Sequence, residues 1–270
     1  MHDGLTVGIE RANITPSLTV PHAGWGAQTH LLADGVHEEL FVTVIYIGQG
    51  DTRTVIVEFD LVGLYSLAAD VRREVAEVIG IPSEAVRVVV THNHANPVMW
   101  EHWVGDRGDQ VELYKSTLPA KAAGAARLAR ANARPARLRA GHGSCHIGRN
   151  RRQRLSDGRI VVGRNDAGVT DPDVFVVRFD DLDGEPIAGL MGYTCHPTTL
   201  GPDNRLMSPD YPGVAKRVFQ KATGVPSLFL QGATGNVGPR MGFTADVRVV
   251  ERLGTILGLE AAKVFSEIDT

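Results

Sequence analysis

Three histidines carry the chemistry this sequence offers most directly. His92 and His94 stand two residues apart in Thr91-His92-Asn93-His94, and His196 stands in Cys195-His196-Pro197. Neutral imidazole is a good zinc ligand, and a catalytic zinc takes about three protein ligands and keeps a position for water. If the backbone at His92 stays extended, the His92 and His94 rings point to one side, because strand side chains alternate. One ring could then hold a metal while the other handles a proton. The competing reading is a pair of ordinary turn histidines, and a single His before Pro, as at His196, is more often structural. Asp60 is a candidate third ligand, an acceptor that orients a ligand histidine, or a strand-end aspartate that caps the next turn. Asp210 has the same alternatives. Cys195 neighbours His196 on a strand, where neighbours face opposite ways, and reads as a buried inert thiol.

Other chemistries find less support. No G-x-S-x-G elbow is present for a serine triad. The loop Gly232 to Gly238 follows a strand but lacks the Lys-Ser/Thr of a P-loop and the spacing of a dinucleotide loop. The basic run Arg149, Asn150, Arg151, Arg152, Gln153, Arg154 fits a solvated loop; in a crevice, one of its arginines would bind a carboxylate or phosphate, or stabilise an oxyanion.

The elements that must position these residues follow from periodicity. Strands are expected at Glu39 to Ile47, Thr54 to Phe59, Val86 to Val90, Ala136 to Gly141, Val174 to Phe179, Pro186 to Thr194 and Ser227 to Leu230. Ser66 reads as the N-cap of a helix carrying Leu67, Val71, Val75 and Ile79, which Gly80-Ile81-Pro82 ends. A long helix over Gln110 to Ala131 carries Pro119 as its bend. Helices are also expected at Asp210 to Ala222 and Ala245 to Phe265, and Asp183-Gly184 suits a hairpin turn. The alternation gives an α/β fold, a mixed β-sheet flanked by helices, in a single domain over 1–270. Asp60, His92 with His94, His196 and the Gly232 loop all follow the C-terminal ends of strands, the edge where open α/β sheets bind ligands.

The totals are consistent with this. The 270 residues, 43% hydrophobic and 22% charged, suffice for a well-buried core. A net charge of −3 gives no global electrostatic case for nucleic acid. Two cysteines, Cys145 and Cys195, exclude a disulfide scaffold. The opening residues show neither a basic n-region nor a long apolar stretch, and no segment approaches the length of a membrane span, so a cytoplasmic protein without a transmembrane segment is expected.

Read together, the segments resemble the N-terminal catalytic domain of the neutral/alkaline non-lysosomal ceramidase family. Five ordered motifs carry the resemblance: Ala12-Asn13-Ile14-Thr15-Pro16 with Ala23-Gly24-Trp25-Gly26; Gly35-Val36-His37-Glu38-Glu39-Leu40 with Glu58-Phe59-Asp60-Leu61; Thr91-His92-Asn93-His94-Ala95-Asn96-Pro97; Asn150-Arg151; and Cys195-His196-Pro197-Thr198-Thr199 with Ser208-Pro209-Asp210-Tyr211. The resemblance implies a Zn2+ held by His92 and His196, His94 as the proton-handling catalytic residue beside it, and Arg151 against the substrate's polar part. It implies hydrolysis of an amide (N-acyl) bond in a small or lipid-like substrate by metal-activated water.

Two departures stand out. Gly238 occupies the place of a family serine, in Gly235-Asn236-Val237-Gly238-Pro239-Arg240, and Arg240 that of an asparagine, which suggests a more anionic or polar substrate than a long-chain ceramide. The family's remaining zinc ligands, a glutamate and a tyrosine, lie beyond Thr270. The alternative is therefore a non-catalytic or partner-completed protein of this fold, with a companion chain supplying ligands. Homo-oligomerisation stays open.

Overall fold

The computed structural model describes residues 4–22, 24–100 and 104–268. Ala23, in the first motif, lies outside the described residues. The first half of the chain runs β1 (Leu5–Asn13), β2 (Gly35–Val36), β3 (Phe41–Gln49), β4 (Thr52–Phe59), α1 (Leu67–Ile79), β5 (Val86–Val90) and α2 (Gly108–Ala131). Then come β6 (Arg134–Pro135), β7 (Arg137–Ser144), β8 (Gly148–Asn150), β9 (Arg152–Arg154), β10 (Ile160–Val162), β11 (Asp173–Asp180) and β12 (Pro186–Tyr193). The remainder is β13 (Leu206–Met207), α3 (Asp210–Thr223), β14 (Ser227–Gln231), β15 (Val237–Pro239) and α4 (Val247–Glu267).

The long strands are apolar on both faces, and this decides the architecture. On β3, Val42, Val44 and Tyr46 pack with α1 and α2, through Val71, Val75, Leu118 and Ala122. The alternate residue Ile45 packs the other way, with Val177, Phe179, Ala188, Leu190 and Leu228 of a second sheet. The outer face of that second sheet, including Val176, Met191 and Phe229, is covered by α3 and α4 through Phe219, Leu253, Leu257 and Phe265. Each strand thus feeds two cores with period two, and the layers run helices, sheet, sheet, helices. The expected α/β fold of mixed sheet flanked by helices forms, with the strands divided among several sheets: the two large ones are ordered β5-β4-β3-β1-β6 and β14-β12-β11-β7, and β10-β9, β13-β2 and β15-β8 are two-stranded. An apolar strand face must be covered, but the sequence pattern is the same whether a helix or another sheet covers it. Each sheet is antiparallel except at one edge, where β4 pairs with β5 and β12 with β14 in parallel.

The expected elements form with small shifts at their ends. α1 covers the expected residues and stops at Gly80, whose φ of 70° a glycine adopts without strain. Ser66 sits at its N-cap position, but its hydroxyl caps nothing. α2 passes through Pro119, and β1, which periodicity did not single out, pairs with β3 along its whole length. Among the described residues no helix is long and apolar enough to cross a membrane.

Candidate metal centre

The two sheets each deliver one strand end to a common crevice. β5 ends at Val90; Thr91 N–H still bonds Phe59 O and His92 N–H bonds Leu61 O. The chain then leaves the extended region, because His92 takes φ 65°. The alternation argument for His92 and His94 therefore fails on its premise. Their rings converge because a left-handed residue turns the chain, an uncommon conformation for residues other than Gly but one in which His, like Asn and Asp, is enriched. β12 of the other sheet ends at Tyr193, and His196 follows, its N–H on Val237 O of β15. β15 pairs with β8, and Arg151, next after β8, bonds Asn236 O. The glycine-rich loop thus ties His196 and Arg151 together.

The three imidazoles meet with ring centroids 4.7–5.3 Å apart, and one donor atom from each lies within 4.8 Å of the others. His92 Nδ1 donates to Val62 O at 2.6 Å and His94 Nδ1 to Gly24 O at 2.7 Å. Each therefore keeps a lone pair on Nε2. His196 turns Nε2 to His94 Nε2 at 2.9 Å and Nδ1 to the Arg151 guanidinium at 3.0 Å. Burial pushes the pKa of His94 down to about 4, with the neighbouring charges of His92 and Arg151 adding to it. Burial, then Arg151, lowers His196 to about 3. Both rings are neutral at pH 7, the form that ligates metal. Among the described residues no carboxylate joins the cluster. A set of three imidazoles, with His94 and His196 neutral and desolvated, fits zinc in the chemistry of its donors.

The walls add what sequence reading passed over. Trp25 stacks on His94 at 4.7 Å, and Phe243 tilts against Trp25 at 5.2 Å. Gly24 lies directly on the His94 backbone, where an added Cβ would come 2.0 Å from the His94 carbonyl oxygen. Trp25 Nε1 and Asn93 Oδ1 are buried without hydrogen-bond partners. The Gly24-Trp25 pair was visible only as part of a motif; nothing in its spacing points to His94, 94 being 70 residues further on.

The remaining candidates separate. Asp60 is outside the cluster: its carboxylate accepts from Phe41 N–H at 3.0 Å and from Lys216 Nζ at 2.8 Å, so it ties β3 to α3 and neither ligates with the histidines nor caps the next turn. Asp210 accepts from Leu200 and Tyr211 N–H and caps the start of α3. Cys195 is fully buried and burial raises its pKa well above the ordinary thiol value, as an inert thiol requires. The basic run divides: Arg151 reaches the histidines, while Arg152 and Arg154 are exposed on β9.

Comparison with known proteins gives one consistent picture. The model of the family described as neutral/alkaline non-lysosomal ceramidase, N-terminal, matches residues 5–241. Neutral ceramidase of Pseudomonas aeruginosa is 28% identical over 165 residues, 58% of this chain and 24% of that protein. The crystal structure of neutral ceramidase from Pseudomonas aeruginosa superposes with a TM-score of 0.80 at 21% identity, covering 99% of this chain and 45% of that one. A structure of ceramidase complexed with C2 gives 0.79 at 21% identity, over 98% and 44%. At that identity the structural likeness speaks to the fold, and the chain spans less than half the length of these relatives.

Proposed function

The chain belongs to the neutral/alkaline non-lysosomal ceramidase family, and from that premise we propose that it performs zinc-dependent hydrolysis of an amide (N-acyl) bond in a small or lipid-like substrate. One observation carries the reading: three imidazoles from two different sheets present donor atoms within 4.8 Å of one another. His92 and His196 are the proposed ligands. When bound, zinc would polarise the scissile carbonyl and lower the pKa of a bound water. His94, fixed by Gly24 O, aims its Nε2 lone pair into the site. It takes a proton there and returns it to the leaving amine. Arg151 offers its guanidinium to the substrate's carbonyl or polar part. Trp25 keeps water from the outer face of His94. Gly238 supplies no hydroxyl, so no step uses one at that position.

The test is metal analysis of the purified protein together with turnover on a panel of N-acyl compounds. Stoichiometric zinc is expected, with kcat/KM lower by about 10³-fold or more in His92→Ala and His196→Ala. Absence of zinc in the parent, with no loss of activity in either variant, refutes the proposal. The lack of a carboxylate in the cluster favours one second reading, a partner-completed site. That reading predicts substoichiometric zinc and no turnover by this chain alone.

A further inference from the structure

Arg151 has two sides. One touches His196; the other lines a neighbouring cavity of about 130 Å³, whose wall also holds Arg149, Arg164, Arg240, Gly238 and Phe243. Its lining holds four arginines and, among the described residues, no carboxylate. The fold holds their backbones firmly. Gly238 pairs with Arg149 across β15 and β8, and Arg240 N–H bonds Ile147 O at 2.7 Å. The segment bearing Arg164 is pinned by Gly163 N–H on Arg151 O at 2.8 Å and Asn165 N–H on Asn150 O at 3.0 Å.

Their charge is poorly compensated. Arg164 and Arg149 share one exposed carboxylate, Asp166, at 2.8 and 3.9 Å. Arg151 spends its donors on the His196 ring and Gly235 O. Among the described residues Arg240 has no ion pair. Four guanidiniums against one carboxylate leave an excess of positive charge at a half-enclosed site, and guanidinium forks match carboxylate and phosphate oxygens in pairs. Gly238 lies beside the Arg151 stem in this wall, where an added Cβ would stand 3.4 Å from Arg151 Cδ. Phe243 links the cavity to the histidines a second way, through Trp25.

We propose that this cavity is a subsite for an anionic group of the substrate, a carboxylate or phosphate on the polar part of the N-acyl compound. The proposal rests on the hydrolytic reading of the histidine site and adds its substrate class. An anion held by Arg240 and Arg149 sits one guanidinium away from His196, so charge on the substrate places its amide beside the imidazoles.

The experiment compares three substrates with one acyl chain: N-acylglycine, N-acyl-phosphoethanolamine and uncharged N-acylethanolamine. The anionic compounds are expected to exceed the neutral one in kcat/KM by about tenfold or more, and the better of the two identifies carboxylate or phosphate as the preferred group. Arg240→Gln should collapse that ratio to about twofold, and Arg240→Lys should keep most of it. Calorimetry of N-acylglycine against N-acylethanolamine on the same proteins reads the subsite without turnover. Anion-selective binding lost in Arg240→Gln supports the subsite even if no amide is cleaved. Equal kcat/KM and equal affinity for charged and neutral compounds, or ratios unaltered by Arg240→Gln, overturn it and leave the hydrolytic reading intact.

Discussion

Two buried polar clusters are finished in opposite ways. Around Lys216 the circuit is closed. Its Nζ lies 2.6 Å from Glu58 and 2.8 Å from Asp60; the other Glu58 oxygen takes Phe229 N–H, and the other Asp60 oxygen takes Phe41 N–H. This joins β4 of one sheet to α3 and β14 of the other half. Around His196 the circuit is open. Three imidazoles and a guanidinium gather with no carboxylate among the described residues, and the Nε2 atoms of His94 and His196 face each other. Burial of charge is tolerated when each group meets its complement. Burial of lone pairs and cations that do not match one another marks a place arranged for something else. The first cluster holds the molecule together; the second is organised around a ligand.

That contrast can be broken at either end. Lys216→Met should have the largest effect on folding. It strands two carboxylates, both at most 1% exposed, and is expected to cost about 3–5 kcal/mol in urea denaturation. A loss below about 1 kcal/mol would make the closed cluster incidental and erase the distinction. Gly24→Ala should act on the other cluster instead. Its methyl cannot coexist with the His94 carbonyl oxygen at 2.0 Å, so the strap must lift and His94 loses the acceptor that fixes its tautomer. Turnover of an N-acyl substrate is expected to fall by about 10²-fold, with a smaller change in urea midpoint than in Lys216→Met. Equal damage to both would mean that the strap is structural.

The two clusters also differ in how far the sequence announced them. The strands and helices were legible because their periods are clean: Leu67, Val71, Val75 and Ile79 can lie on one side only of a helix. The histidines were legible as strand-end residues and through ordered motifs. What was hidden is three-dimensional. Two-faced apolar strands do not say whether a sheet or a helix covers them, so the division of the strands between two large sheets was not legible. Asp60 looked like a ligand because it follows a strand as His92 does; only its inward register toward Lys216 takes it away from the site. The bend at His92 went unread: histidine is enriched at positive φ, but at a strand end extended backbone is the commoner state. The arginine run concealed its division, which depends on where β8 ends and β9 begins.

Glu58 gives a finer test of the closed cluster. Burial, reinforced by the Asp60 charge against the pull of Lys216, raises its pKa from 4.5 to about 7. The folded protein therefore keeps a proton that the unfolded chain releases near 4.5. The stability this contributes is full below that value and is lost as pH rises through about 7. Glu58→Gln should flatten the stability profile between pH 5 and 8, measured by urea titration at each pH. A profile unchanged by the variant would show that the triad does not hold an extra proton.

The smallest expected effect sharpens the open cluster. Gly238→Ser restores the side chain that the family carries at this position. A Cβ there would meet Arg151 Cδ at 3.4 Å, Arg151 Cβ at 3.9 Å and Thr198 Oγ1 at 4.0 Å, all ordinary contacts, and Gly238 does not have a left-handed φ. Neither space nor backbone demands glycine, so thermal unfolding should change by no more than about 0.5 kcal/mol. If so, the glycine is a feature of the site's chemistry beside the Arg151 stem. A loss above about 2 kcal/mol would instead assign Gly238 to the scaffold, and would move this wall of the site to the same side of the comparison as Lys216.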